Sequence, residues 1–296
     1  MDKKKKLSVG LGLVLVAAVA VSYVTLEQGQ VAEAKTAKIA SFNVQVFGVT
    51  KSHKENVMNV LTRIAREFDI VLIQEVRDST GATIPYFVQK INEIPGPKYS
   101  SIISKRLGRS TSQESYAYVY NTETVQFIQG SDYVYNDTSD AFEREPYIAS
   151  FKIGNFDFTL VGIHTKPDDA YNEIGNLTLV VASIQQKNPS EKDIITLGDF
   201  NADGTYFKEN DNSNPFKASA YNWMITNNMD TMVKTDYTYD RIVILNTTLN
   251  HEYETGTAQV FYYDQVYSLN NATLVAEISD HYPVFAKYKT NLPDDD

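Results

Sequence analysis

The stretch Ile194–Asn201, with the sequence IITLGDFN, decides the fold that this chain is expected to adopt. Its first four residues are apolar or β-branched, as is typical of a buried strand, and a polar segment follows Gly198. Asp199 and Asn201 are two residues apart, so they would project to the same side of an extended chain. The pattern predicts a buried strand that ends in two oxygen-bearing side chains.

Other segments repeat this arrangement of an apolar strand beside a chemically active side chain. Glu75 ends the segment IVLIQE, and His164 ends LVGIH. Ligand sites in α/β proteins gather at the ends of strands. We therefore expect one shared site that includes, besides Asp199 and Asn201, the residues Asn43, Glu75, His164, Asp240, Asp280 and His281.

Helical patterns separate the strand patterns. One helix is predicted to begin at Ser52, with Glu55 completing a capping box. A second is predicted after Pro167, where Asp168 and Asp169 suit the positive end of the helix dipole. This mixture predicts an α/β fold of layered sheets with helices on the outside. The predicted strands are Ile39–Val46, Ile70–Gln74, Tyr99–Ser104, Tyr116–Tyr120, Thr124–Ile128, Ile148–Ile153, Phe156–Ile163, Asp193–Leu197, Tyr239–Leu245 and Val284–Tyr288.

The composition of the 296 residues excludes several kinds of site. The chain has no cysteine, which excludes disulfides, a thiolate zinc site and a thiol nucleophile. Its net charge of −10 argues against a basic surface that coats nucleic acid. Contact with a polyanion would therefore depend on metal cations or on a few arginines. No linker composition divides residues 35–290, which are predicted to form one domain, whereas the acidic tail 291–296 is expected to be disordered.

The N-terminal segment has the features of a secretory signal peptide. Lysines at positions 3–6 precede an apolar run over 7–24, and Ala32-Glu33-Ala34 matches the A-x-A cleavage pattern. We expect residues 1–34 to be a signal peptide, cleaved after Ala34, and the product to be secreted. The alternative is an uncleaved membrane anchor, because roughly 17–25 apolar residues are enough to span a bilayer.

The side chains at the strand ends favour one reaction class. Carboxylate and amide oxygens without thiolates suit Mg²⁺, Mn²⁺ or Ca²⁺. Histidines that can pair with carboxylates suit general acid and base catalysis, and arginines suit phosphate groups. Together these groups predict metal-assisted hydrolysis of a phosphodiester by water.

Several segments, in order and with similar spacing, give the chain a specific resemblance. It resembles the secreted deoxyribonuclease I branch of the endonuclease/exonuclease/phosphatase superfamily. The resemblance implies a four-layer α/β sandwich, in which two mixed β-sheets pack face to face with helices on the outside. The segments that carry it are IASFNVQVFG at 39–48, DIVLIQEVRDS at 69–79, LGR…ESYAYVY at 107–120, EREP at 143–146, IHTKPDDA at 163–170, LGDFNAD at 197–203, YDRIV at 239–243 and ISDHYPV at 278–284.

The resemblance implies two histidine–carboxylate pairs that divide the acid and base roles across the phosphate. His164 is expected to pair with Glu114, and His281 with Asp240. Which histidine is the acid and which is the base stays open. Asp199 and Asn201 are expected to orient the phosphate and the attacking water, or to hold a second metal ion.

Metal and DNA contacts follow from the same resemblance. Glu75 is the expected principal ligand of Mg²⁺ or Mn²⁺, with Asn43 beside it and Asp280 adjacent to the metal. The expected substrate is DNA, most naturally double-stranded, and no obligate protein partner is evident, so a monomer is expected. Arg77 would enter the minor groove, where readout has little sequence preference, Arg144 would meet the scissile phosphate, and Arg109 is a weaker candidate for the DNA backbone.

The chain departs from the family pattern at several positions. Ser112 replaces a tyrosine that stacks on sugar, and Gln45 replaces an arginine, so two DNA contacts are lost. Gly204 and Tyr237 stand where the family has its larger disulfide, and the loop 136–140 is shortened. A structural or stimulatory Ca²⁺ site remains possible there. Its oxygen ligands would be Asp140, the carbonyl of Phe142 and Glu145, the alternative being an ordinary acidic loop.

Three functions are compatible with this pattern. The first is a secreted, divalent-metal-dependent endonuclease that hydrolyses DNA with little sequence specificity. The second is a lipid phosphodiesterase, such as a sphingomyelinase, which would be expected to carry an exposed apolar hairpin that the sequence does not show. The third is a non-catalytic binding protein, against which stands the presence of every expected catalytic residue.

Overall fold

Two mixed β-sheets form the centre of the protein in a computed structural model that describes residues 36–294. The predicted signal peptide and the last two residues of the predicted tail lie outside the described residues. The strands are β1 Thr36–Phe47, β2 Ile70–Val76, β3 Tyr99–Ile103, β4 Ser115–Asn121, β5 Gln126–Phe127, β6 Tyr133–Val134, β7 Tyr147–Ile153, β8 Phe156–His164, β9 Ile194–Asp199, β10 Tyr221–Trp223, β11 Asp240–Leu245, β12 Gln259–Val260 and β13 Val284–Lys289.

Within the described residues, each sheet contains one parallel pair among antiparallel neighbours. The first sheet has the order β12-β13-β1-β2-β4-β3, with β1 and β2 parallel. The second has the order β10-β11-β9-β8-β7-β5, with β6 also paired to β7 and with β8 and β9 parallel. Parallel neighbours end at the same edge of a sheet, so each pair brings two strand ends together.

Three apolar clusters show how the layers pack. The cluster between the sheets joins Leu72 and Tyr118 of the first sheet to Phe158 and Leu197 of the second. A second cluster lies between the first sheet and its outer helices, and a third lies under the long helix of the second sheet. Sheet residues thus alternate between an inner and an outer apolar layer. The predicted four-layer α/β sandwich is confirmed.

The outer helices differ in part from the sequence prediction. The helices are α1 Val49–Ser52, α2 Glu55–Ala65, α3 Thr83–Glu93, α4 Ala170–Lys187, α5 Asn246–Asn250, α6 Tyr263–Val266 and α7 Ala272–Ile278. The helix after Pro167 is confirmed as a 3-10 turn, Pro167–Asp169, that continues into α4. The capping box was wrong. Ser52 ends α1 instead, and its hydroxyl donates to the carbonyl of Val49, so it is turned away from α2.

The loops that replace the family's larger disulfide are joined by non-covalent contacts. A Cβ atom at Gly204 would lie 3.3 Å from the ring of Tyr237, so the ring packs directly on the glycine. The carboxylate of Asp203 also accepts a hydrogen bond of 2.8 Å from the backbone nitrogen of Thr238. Aromatic packing and one carboxylate therefore connect the two segments without cysteine.

The C-terminal residues that the structure describes contact the hairpin between β7 and β8. Asn155 donates to the carbonyl of Leu292, and the ammonium of Lys152 lies 3.4 Å from the carboxylate of Asp294. Residues 291–294, which the sequence predicted to be disordered, thus have defined contacts. Over residues 36–294, no helix is both long and apolar enough to cross a membrane.

Candidate active site

Three adjacent strands of the second sheet bring the catalytic candidates together. In the parallel pair of β8 and β9, His164 lies directly opposite Asp199. Antiparallel β11 places Asp240 opposite the same aspartate. Gly198 makes this close approach possible, because a Cβ atom there would lie 1.8 Å from the carbonyl oxygen of Ile163. The glycine of the GDFN segment is therefore required by the sheet geometry.

Each histidine that the sequence analysis expects to be catalytic is held by a fully buried carboxylate. The Nδ1 atom of His164 lies 2.9 Å from Glu114 Oε1, and the Nδ1 atom of His281 lies 2.8 Å from Asp240 Oδ2. Such a contact fixes both the tautomer and the orientation of an imidazole ring. In each ring the Nε2 atom is left to face the cleft.

Asp199 lies between the two imidazoles. Its Oδ2 atom is 3.4 Å from Nε2 of His164 and 3.6 Å from Nε2 of His281. Its Oδ1 atom accepts the backbone N–H of Asn201 at 2.9 Å. Asn201 has a left-handed backbone, with φ 48°, and its amide donates to the carbonyl of Thr165. Asp199 thus lies between the two histidines, and Asn201 lines the same cleft.

Asn43 connects Glu75, the expected metal ligand of the first sheet, to Asp199 of the second sheet. The Nδ2 atom of Asn43 lies 3.0 Å from Asp199 Oδ2 and 3.3 Å from Glu75 Oε1. Glu75 has a left-handed backbone, with φ 56°, and its other carboxylate oxygen lies 3.1 Å from the guanidinium of Arg77. One amide therefore links the carboxylates of the two sheets.

The donor set suits a hard divalent cation. Glu75 and Asp280 both line the cleft, and Oδ1 of Asp280 is buried without a hydrogen bond among the described residues. A buried carboxylate oxygen without a partner is costly unless a cation compensates it. Among residues 36–294, Asp199, Asp240 and His281 also bring ligand atoms within 4.8 Å of one another. Because Asp240 and His281 already bond to each other, we assign that group to proton transfer.

Charges around the two pairs shift their pKa values. Burial lowers the pKa of His281, but the carboxylates of Asp240 and Asp199 overcome it and raise that pKa to about 10. The pKa of His164 is raised in the same way: burial opposes the charge and Glu114 favours it, although Arg144 works against it. Burial would raise the pKa of Asp199, yet the two histidines hold it below its usual value.

The predicted DNA-contacting arginines fall into different environments. Arg77 pairs with Glu75 and lines the cleft with its side chain 31% exposed, so part of its guanidinium faces the space where a ligand would bind. Arg144 also lines the cleft but is buried, and it donates to the carbonyls of His164 and Thr165. Arg144 therefore holds the end of β8 as well as supplying positive charge. Arg109 lies outside the cleft lining.

The candidate calcium loop is linked to Arg109. The guanidinium of Arg109 lies 2.8 Å from the carboxylate of Asp140 and 3.7 Å from Glu143. Phe142 is buried, and its backbone N–H donates to Asp137. The acidic loop is thus paired with an arginine, and a calcium ion held by Asp140, the Phe142 carbonyl and Glu145 stays a prediction.

Sequence reasoning missed several residues of the site. Lys166, Tyr206, Met232 and Tyr239 line the cleft, whose volume is about 480 Å³. Each comes from a loop or from the residue just before a strand, where no periodic pattern marks an inward side chain. Tyr239 directly precedes Asp240 in the YDRIV segment, and this adjacency was the available signal.

Comparison with known proteins identifies the family of this chain. Residues 40–281 match the endonuclease/exonuclease/phosphatase family. The chain belongs to this family. It is 34% identical over 258 residues to deoxyribonuclease-1 of Bos taurus, covering 83% of this chain and 90% of the relative. It is 36% identical over 264 residues to deoxyribonuclease-1-like 1 of Homo sapiens, covering 86% and 85%.

Solved structures share the fold at lower sequence identity. An endonuclease/exonuclease/phosphatase from Bacteroides vulgatus superposes with a TM-score of 0.60 at 14% identity, covering 86% of this chain and 99% of that chain. The catalytic domain of human nocturnin superposes with a TM-score of 0.57 at 14% identity, covering 86% and 94%. These likenesses support the fold alone.

Proposed function

We propose that this protein is a secreted, divalent-metal-dependent endonuclease that hydrolyses the phosphodiester bonds of double-stranded DNA with little sequence specificity. One observation carries the proposal. Two imidazoles, each fixed by a buried carboxylate, direct their Nε2 atoms at one oxygen of Asp199 from 3.4 and 3.6 Å. The deoxyribonuclease relatives, similar over most of the chain, favour DNA as the substrate.

In the proposed mechanism the two histidines move protons on opposite sides of the phosphate. A neutral imidazole whose Nδ1–H donates to its carboxylate has a free Nε2 lone pair, which accepts a proton from the attacking water. The other imidazole, protonated, donates its Nε2–H to the leaving oxygen. Glu114 and Asp240 keep both rings in this orientation. Either histidine can take either role in this geometry.

Glu75, Asn43 and Asp280 are the residues that would hold Mg²⁺ or Mn²⁺. When bound, such an ion supplies positive charge that offsets the charge of the phosphate in the transition state. Asp199 and Asn201 lie between the histidines and orient the phosphate group. Arg77, which is partly exposed at the rim, contacts the DNA strand.

The proposal is tested by nicking of a supercoiled plasmid with the full-length chain. Cleavage that needs Mg²⁺ or Mn²⁺, stops in excess EDTA and is lost in His164→Ala is expected. His53→Ala is the matched control, because His53 is exposed and stacks on Tyr86 at a ring distance of 5.0 Å. An intact plasmid under all conditions would overturn the proposal, and hydrolysis of sphingomyelin would then favour the lipid phosphodiesterase.

Secretion is tested separately from catalysis. The full-length chain is expressed in a Gram-positive host, and the medium and the membrane fraction are examined for the protein. A product in the medium whose first residue is Lys35 supports cleavage after Ala34. A product that stays in the membrane fraction with its first residues intact would favour the anchored alternative.

A further inference from the structure

A strained turn, Gln45–Val46, interrupts β1 where its pairing register with β2 shifts between Asn43 and Phe47. Gln45 and Val46 both have left-handed backbones, with φ 39° and φ 54°. A β-branched residue at positive φ is a genuine outlier, and such a backbone conformation is strained. The side chain of Val46 is 52% exposed, so packing does not explain why the conformation is kept.

The strained turn aims two backbone N–H groups at the metal candidates. The N–H of Gln45 donates to Oδ1 of Asn43 at 2.9 Å. The N–H of Val46 donates to Oε2 of Glu75 at 2.8 Å. A relaxed, extended backbone at Gln45 and Val46 would turn these donors away. The turn therefore fixes the orientation of both side chains.

Lys51 holds the Gln45–Val46 turn through hydrogen bonds from its ammonium. Its ammonium donates to the carbonyls of Val44 at 2.9 Å, Gln45 at 2.6 Å and Ile278 at 3.1 Å. An ammonium has three donors, so these three carbonyls use all of them. Lys51 reaches its acceptors from helix α1, which lies directly after the turn in sequence.

The third acceptor connects Lys51 to the other side of the site. Ile278 is followed by Ser279, whose hydroxyl donates to the carbonyl of Asn43 at 2.7 Å and accepts the backbone N–H of His281 at 3.1 Å. One ammonium thus joins the Asn43–Gln45 segment, the turn that orients Glu75 and the segment that carries Asp280 and His281.

Burial and neighbouring carboxylates act in opposite directions on the pKa of Lys51. Burial lowers its pKa to about 8, while the negative charges of Asp280 and Glu75 act in the opposite direction. A buried ammonium is costly unless hydrogen-bonded, and here all its donors go to backbone carbonyls of the active site. Lys54, three residues further on, pairs instead with Glu277 at the surface.

We propose that Lys51 is a positioning residue of the active site, whose ammonium holds the left-handed Gln45–Val46 turn so that Glu75 and Asn43 are pre-oriented for the divalent cation. The inference rests on the proposed metal-dependent nuclease activity for its kinetic readout. Lys51 acts through the turn, and it touches neither the substrate nor the cation.

The first test compares Lys51→Met with Lys54→Met in the full-length chain. Binding of Mn²⁺ without DNA is measured by the electron paramagnetic resonance signal of the free ion, and plasmid cleavage gives kcat and KM. Groups that orient metal ligands are typically worth about 10–100-fold in metal affinity or activity. We expect Lys51→Met to weaken Mn²⁺ binding and to lower kcat within that range, with the KM for DNA little changed. Lys54→Met is expected to match the wild type.

A second substitution tests the strain itself. Glycine adopts positive φ without steric cost, so Val46→Gly removes part of the strain that Lys51 opposes. In the Lys51→Met background, Val46→Gly is therefore expected to restore Mn²⁺ binding several-fold. The free energy of unfolding is measured for the same variants, so that a recovery of Mn²⁺ binding is told apart from a gain in general stability.

The outcomes separate the two proposals. Equal Mn²⁺ affinities for Lys51→Met and the wild type would overturn the positioning role even if DNA is cleaved. Absent cleavage by the wild type would overturn the nuclease function, while the Mn²⁺ comparison would still decide the role of Lys51. If Lys51→Met does not fold, Lys51→Arg replaces it, because a planar guanidinium cannot direct three donors from one atom. Wild-type Mn²⁺ affinity in Lys51→Arg would likewise overturn the role.

Discussion

The two histidine–carboxylate pairs share one geometry but lie in opposite electrostatic surroundings. Glu114, behind His164, has the guanidinium groups of Arg77 and Arg144 each 3.9 Å away. Asp240, behind His281, has no arginine or lysine within 4.0 Å among the described residues. It also lies opposite another carboxylate, Asp199, on the neighbouring strand.

The pKa shifts of the two carboxylates follow these surroundings. Burial would raise the pKa of Glu114, but His164, Arg144 and Arg77 hold it below its usual value. Burial raises the pKa of Asp240, and the stabilising effect of His281 does not overcome it. The ionised form of Glu114 thus favours the folded state, whereas that of Asp240 opposes it. Two pairs of the same geometry therefore differ in how the ionised carboxylate affects stability.

The largest expected effect is the loss of either imidazole. His164→Ala and His281→Ala should each lower kcat by about 10²–10⁴-fold, because each removes a group that transfers a proton. The measurement is single-turnover cleavage of a plasmid at saturating enzyme. The double variant should lose little more than either single variant, because the two groups act as a unit. Near-native activity in either single variant would contradict the proton-transfer role of that histidine.

Substitutions of Glu114 and Asp240 should lower kcat to a similar extent but change the free energy of unfolding to different extents. Glu114→Gln leaves the buried Arg144 without its carboxylate, and removing one partner of a buried pair costs about 3 kcal/mol or more. Asp240→Asn removes a charge whose burial is unfavourable and leaves no arginine unpaired, but His281 loses its partner, so the free energy of unfolding should fall less than in Glu114→Gln. Both variants should lower kcat about 10–100-fold, as when the carboxylate behind a metal-bound histidine is removed.

Urea unfolding of the metal-free protein, followed by circular dichroism, measures this difference. The control is Glu277→Gln, which removes an exposed carboxylate paired with Lys54 and should leave both stability and kcat unchanged. Equal losses of stability in Glu114→Gln and Asp240→Asn would show that the arginines do not distinguish the two pairs.

The sequence predicted the parts of this site that lie on periodic elements. Strand β9 was recognisable from Ile194–Leu197, and its parallel pairing with β8 then brings His164 to Asp199. The resemblance supplied Glu114, which precedes β4 and shows no strand-end pattern of its own. Residues on loops, such as Lys166 and Tyr239, carry no periodic signal, so the sequence did not place them in the cleft.

Contacts between distant segments were also beyond the sequence. Gln74 accepts the hydroxyl of Ser41 and donates to the carbonyl of Ile163 at 2.6 Å, so it joins the two sheets behind the site. The Gln45–Val46 turn and its support by Lys51 depend on backbone dihedral angles that no residue pattern specifies. The wrong prediction of a capping box at Ser52 has the same origin. Its hydroxyl donates to the carbonyl of Val49 in α1, and the residue pattern does not specify this contact.

The smallest expected effect concerns the rim on the Glu114 side of the cleft. Ser112 is exposed and lines the cleft, in the loop that precedes Glu114. In Ser112→Tyr the ring should pack on a sugar of the bound strand, and a well-placed aromatic contact is worth about 0.5–1.5 kcal/mol. The KM for DNA should therefore fall about two- to tenfold while kcat stays unchanged.

Thr111→Tyr is the matched control, since Thr111 is also exposed but does not line the cleft. An unchanged KM in Ser112→Tyr would mean that DNA does not reach this loop, and that the arginine-bearing side of the site binds the phosphate without holding the neighbouring sugar.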